Sequence, residues 1–138
     1  MHEFVLRQTA NLLDRFAHEV KRSAKSDDAD AVHDLRVAIR RLSRCLSVFS
    51  EFYPKRPWKK IRRQLDDLRD LAGAARDQHI ALELLAESGV GEGTLIVAYI
   101  QAERRKATRE LASEIERLQA CGFSRKWRAS LGLPHASS

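Results

Sequence analysis

His33-Asp34-Leu35-Arg36-Val37-Ala38-Ile39-Arg40-Arg41-Leu42-Ser43-Arg44 is the stretch on which the reading of this chain turns. Wound as a helix at about 100° per residue, it places His33, Arg36, Arg40, Arg41 and Arg44 within roughly 140° of one another. Leu35, Ile39 and Leu42, with Leu46 one turn on, gather on the opposite side. One stripe packs and the other carries fixed positive charge. Arginine is always ionised, and its planar fork meets phosphate oxygens two at a time, so one Arg per turn suits a polyanion.

The charge balance around this helix is lopsided. From Arg36 to Arg63 ten basic residues face one acid, Glu51, a local net of +9, whereas the rest of the chain carries 15 bases against 18 acids, a net of −3. A field concentrated in this way steers and holds anions, whereas charge spread evenly bears mainly on solubility.

Working outward, the apolar spacing is helical throughout. Leu6, Ala10, Leu13, Ala17, Val20 and Ala24 predict a first helix over about 3–24. Asp27, Asp28 and Asp30 form an acidic N-cap cluster for a second helix running to about Glu51. Tyr53 to Pro57 breaks it, with Pro57 suited to the first turn of a third helix that carries Ile61, Leu65, Leu68 and Leu71 on one side. Gly73 is expected to bend or split that helix before Ala74 to Glu87. Gly89, Gly91 and Gly93 make a loop, Thr94 caps a fourth helix and Cys121-Gly122 ends it. Trp127, Leu131 and Leu133 mark a short docked helix before a frayed end at Pro134 to Ser138.

No strand alternation is present, and short connections make consecutive helices antiparallel neighbours. The expectation is therefore an all-α protein, an antiparallel four-helix bundle with a short C-terminal helical tail, forming a single domain over residues 1–138. The longest apolar run, Leu95 to Ile100, is too short to cross a bilayer, and the N-terminal stretch carries acids and a Gln in place of a signal peptide's apolar core, so no membrane association and a cytoplasmic location are expected. Cys45 and Cys121 read as free thiols in packing roles.

Two further features bear on function. Val97, Ile100, Ala107, Leu111, Ile115 and Leu118 mark the buried seam of the fourth helix, and Arg104 falls in its middle, where it needs a carboxylate partner or a wet anionic groove. Lys59, Lys60, Arg62 and Arg63 occupy the first two turns of the third helix, where the macrodipole disfavours cations, unless an anion sits against that end.

His33-Asp34-Leu35-Arg36-Val37-x-x-Arg40-Arg41-Leu42, followed by Phe49 and by Leu68-x-x-Leu71-x-Gly73-x-x-Arg76-Asp77, resembles the CHAD domain, the conserved histidine α-helical domain, most closely over about residues 30–85. The resemblance implies a polyphosphate-binding module built from two similar four-helix bundles around a basic channel. Carried onto matching positions, His33, Arg36, Arg40, Arg41 and Arg44 would line that channel. Charge and helix phase add Lys59, Arg62 and Arg63, and Arg104 completes the candidate set. Gln78-His79 follows Arg76-Asp77 where the family often has another Asp. One bundle's worth of chain implies either half of a longer domain or two copies pairing, and a homodimer that rebuilds the two-bundle channel is the expectation.

The chemistry expected is therefore binding without catalysis, cofactor or metal, with long-chain inorganic polyphosphate as ligand. Nucleic acid is the alternative through the same patch, but only Trp58 interleaves the basic run as a stacking aromatic. A metal-dependent phosphohydrolase is weaker still. His33-Asp34 is similar to the metal-binding pair of HD-type enzymes, yet neighbouring helical side chains diverge by about 100°, and His18 or His79 would have to be recruited from elsewhere. Arg76-Asp77 is expected to form an ion pair near a helix start.

Overall fold

The computed structural model describes residues 1–135, so Ala136 to Ser138 of the expected frayed end lie outside the described residues. Five α-helices follow in order: α1 His2–Lys25, α2 Ala29–Val48, α3 Lys55–Glu87, α4 Leu95–Ala120 and α5 Phe123–Ser130. Among the described residues there is no strand, and no helix is long and apolar enough to cross a membrane.

Local chemistry explains the boundaries. Asp28 caps α2, its carboxylate accepting the Ala31 N–H at 2.8 Å, and Thr94 caps α4 through the Val97 N–H. Gly122, at φ +63°, takes the left-handed conformation that closes α4 and turns the chain into α5. The second helix stops at Val48, short of Glu51, because a 3-10 turn over Ser50–Phe52 and Pro54 follow. Gly73 neither bends nor splits α3, which runs for 33 residues. An interior glycine costs a helix only about 1 kcal/mol, too little to break one with buried residues on both sides.

The short loops make successive helices antiparallel, and α1 packs on α2, α2 on α3, α3 on α4 and α4 back on α1. The fourth edge of the bundle is shared: α4 covers part of α1, and α5 covers more of it. There Phe123 meets Phe16 edge-on at 5.4 Å, and Trp127 stacks on Phe16 at 5.7 Å. Leu131 and Leu133 are buried behind them, and Arg128 pairs with Asp14 of α1.

The core of α1 follows the expected pattern in part. Ala10, Leu13 and Val20 are buried as expected and Val5, Thr9 and Phe16 join them, whereas Leu6 and Ala17 are half-buried and Ala24 is exposed. Phe16 is drawn inward by its packing on Phe123 and Trp127 of α5. In α3, Ala72 and Ala75 are buried and Leu71 only half-buried; in α4, Ile100 is half-buried. Beyond Ala75 no α3 residue is buried, and above Ala107 only Val97 of α4 is, so the upper parts of these two helices form an arm that outruns α1 and α2.

One polar group inside the core was not legible in the pattern. Thr9, 0% exposed, donates its hydroxyl to the Val5 carbonyl at 2.8 Å. With that proton spent, Thr9 accepts from the Tyr53 hydroxyl at 2.7 Å, and Cys45 Sγ lies 3.7 Å from the same phenol. Burial pushes the Tyr53 phenol up, so it stays a donor, and the cluster ties α1, α2 and the turn before α3 together. Thr9→Val removes the acceptor and is expected to cost about 1–3 kcal/mol in urea denaturation, with Tyr53→Phe costing less in the Thr9→Val background than alone. Cys45 and Cys121 are both free thiols, buried and half-buried.

Candidate functional site

The inner face of α2 is locked into the core, with Leu35, Ile39, Leu42 and Leu46 each at most 1% exposed. The outward direction of the opposite stripe is fixed by that packing. His33, Arg40, Arg41 and Arg44 are exposed and Arg36 is half-buried.

A second cationic group stands beside it at the start of α3. This helix has no side-chain cap on its N-terminal N–H groups and no acid in its first turn, so the positive end of its dipole is left uncompensated. Trp58 donates its indole N–H to the Leu46 carbonyl at 2.7 Å, tying the start of α3 to the last turn of α2. The Arg62 guanidinium lies over the Trp58 ring, 5.5 Å from its centroid. Lys59 and Arg63 are exposed alongside. The Trp58 clamp thus fixes the head of α3, with Lys59, Arg62 and Arg63, against the last turn of α2. Sequence reading missed it; the only signal was a lone tryptophan within a basic run.

These cations have no counter-ion within ion-pair distance among the described residues. Among the described residues, every ion pair engages Arg22, Arg69, Arg117 or Arg128, and none involves His33, Arg36, Arg40, Arg41, Arg44, Lys59, Arg62, Arg63 or Arg104. The Nε atoms of Arg36 and Arg62 are buried with no acceptor.

The acid in His33-Asp34 has a structural part. Asp34 pairs with Arg22 of α1, which also reaches Glu19 at 3.3 Å. His33 and Arg41 open onto a cleft of about 350 Å³ between α1 and α2, together with Arg15, Glu19 and Asp34. Among the described residues no three His, Cys, Asp or Glu side chains gather as metal ligands would.

Arg104 departs from its expected setting. It is half-buried rather than enclosed in the seam, has no carboxylate within ion-pair distance among the described residues, and lies close enough to His79 for its charge to bear on that ring. His79 is 16 residues beyond Arg63 on the same helix, about 24 Å along the axis. Arg104 therefore stands apart from Lys59, Arg62 and Arg63. Arg76 and Asp77 sit inside α3, away from any helix start, and form no ion pair among the described residues.

His79 offers a pH readout. Burial, and then the Arg104 charge, lower its pKa from the ordinary 6.5, against smaller opposing effects of Asp27, Glu83 and Asp28. A depressed folded pKa means that the unfolded chain takes up the proton first. Stability is therefore full above 6.5 and is lost as pH falls from there through the folded value. Urea midpoints taken above and below this window are expected to differ more for the parent than for His79→Gln.

The CHAD domain profile matches residues 7–138. The chain belongs to the CHAD domain family. The CHAD match takes in α4, α5 and nearly all of α1, as well as the α2 and α3 segments whose motifs carry the resemblance. No curated protein and no solved structure matches the chain.

Proposed function

We propose that this CHAD chain is a non-enzymatic binding module for long-chain inorganic polyphosphate, acting in the cytoplasm. The ligand would lie along His33, Arg36, Arg40, Arg41 and Arg44 of α2 and continue over Lys59, Arg62 and Arg63 at the head of α3. The observation that carries this reading is the set of cations with no ion-pair partner among the described residues. Membership of a family linked to polyphosphate binding supports the choice of anion.

Phosphate oxygens would accept from these donors through charge-assisted hydrogen bonds, while counterions released from the chain add the entropic part. Arg104, with its separate position, would contact only an extended chain that passes the upper end of the bundle. A second copy would supply the second cationic bundle, giving a homodimer.

Nucleic acid is the competing ligand for the same patch. It is disfavoured because Trp58, the aromatic within the basic run, already spends its indole N–H on Leu46 and carries Arg62 over its ring. A salt-titrated binding assay with long-chain polyphosphate, competed by duplex DNA and single-stranded RNA, separates the two. The expected result is tight binding that weakens steeply with salt and resists excess nucleic acid. Equal competition would reduce the site to a general cation patch.

A further inference from the structure

Helix α3 is charged oppositely at its two ends. From Lys55 to Arg63 it has six bases and no acid, and from Asp77 to Glu87 it has three acids and no Lys or Arg. The acidic character continues across the arm, since Glu92 and Glu103 follow with no Lys or Arg between Asp77 and Glu103. The arm also carries exposed apolar side chains, Ile80, Leu84, Leu95, Ile96 and Tyr99, at 36% to 90%. Large apolar groups concentrated on one projecting element mark a contact surface.

Charge selects what covers it. Arm against arm would set five carboxylates against five, whereas arm against the head of another α3 sets acid against base. We propose that a second copy of the chain pairs with this one along α3 in antiparallel register, each acidic arm lying on the cationic head of the other. A two-fold axis through the middle of α3 closes the assembly at two copies. It brings Lys55 level with Glu87 and Lys59 with Glu83, and aligns the two helix dipoles head to tail.

Helix phase agrees. Lys55, Lys59, Gly73, Ile80, Leu84 and Glu87 fall within about 80° of one another on α3, and each is exposed or half-buried. Gly73, two residues from the midpoint of the helix, is not required by close packing within its own chain, because a Cβ there would meet nothing within 4 Å. Close approach of a second backbone gives that position a reason to lack a side chain. The inference rests on the pairing of two copies in the reading above and not on its ligand. Lys59 and Arg62 border both surfaces, and the α2 stripe stays outside this contact.

Sedimentation of the full chain at low salt, up to tens of micromolar, tests it. The parent is expected to dimerise. Glu83→Lys with Glu87→Lys, and separately Lys55→Glu with Lys59→Glu, are each expected to weaken the dimer at least tenfold. An equimolar mixture of the two charge-reversed chains is expected to recover a particle of two chains, because both contacts are again opposite in sign. Gly73→Leu, whose side chain has open space in the single chain, is expected to weaken the dimer while circular dichroism stays unchanged. A monomeric parent, undiminished dimers of the reversed chains, or a mixture that stays monomeric would each overturn the proposal. Polyphosphate binding by the Glu83→Lys, Glu87→Lys chain, read in parallel, distinguishes failure of the pairing from failure of the ligand assignment.

Discussion

Replacing Arg40 and Arg44 together by alanine is expected to lower polyphosphate affinity by more than tenfold at moderate salt and to leave helicity intact. Both side chains are exposed on α2 and neither is ion-paired among the described residues, so truncation breaks no ion pair there. Each loses one charge-assisted phosphate contact, and together they need lose only about 1.4 kcal/mol of binding free energy to give a factor of ten. The dependence of affinity on salt should flatten as well, because fewer phosphates are neutralised and fewer counterions released. Calorimetric titration at several salt concentrations reads both quantities. An unchanged affinity would place the anion elsewhere on the molecule.

The opposite face of the same helix gives the second large effect. Leu42, 1% exposed, lies in the core formed with Leu35, Ile39 and Leu46 and the inner faces of α1 and α3. Leu42→Ala is expected to destabilise the fold by about 2–5 kcal/mol, through lost apolar burial and the cavity left behind. A domain of this size typically has about 5–15 kcal/mol in all, so the urea midpoint should fall sharply. Where the variant remains folded, its polyphosphate affinity should match the parent's, since the arginine stripe keeps its place. The two substitutions therefore separate one helix into a face that binds and a face that folds.

Much of this was legible along the chain. The α2 phase, with apolar side chains inward and guanidinium groups outward, follows from residue spacing alone, as do the caps at Asp28 and Thr94 and the glycine turn at Gly122. These are local effects, set by neighbours within a turn or two. The misreadings arose where a distant contact outweighed local preference. Gly73 looked like a break, yet α3 continues through it because the buried residues on either side outweigh a small intrinsic cost. The α1 stripe was read in part, with Ala10, Leu13 and Val20 buried as expected, but it left out Phe16, which packs on Phe123 and Trp127, more than a hundred residues later.

The candidate site divides in the same way. Charge density between Arg36 and Arg63 marked the cationic face, and Arg per turn marked the helix that carries most of it. Spacing could not show that Asp34 is taken by Arg22, that Trp58 joins the head of α3 to the last turn of α2 by donating to Leu46, or that Arg104 stands apart beside His79. Helical periodicity and charge pattern are properties of a segment, so the sequence by itself determined the helices, their inward faces and the sign of the field. Which acids neutralise which bases depends on distances between segments remote along the chain, and only the tertiary structure decided that the arginines of α2 and the head of α3 have no counter-ions among the described residues.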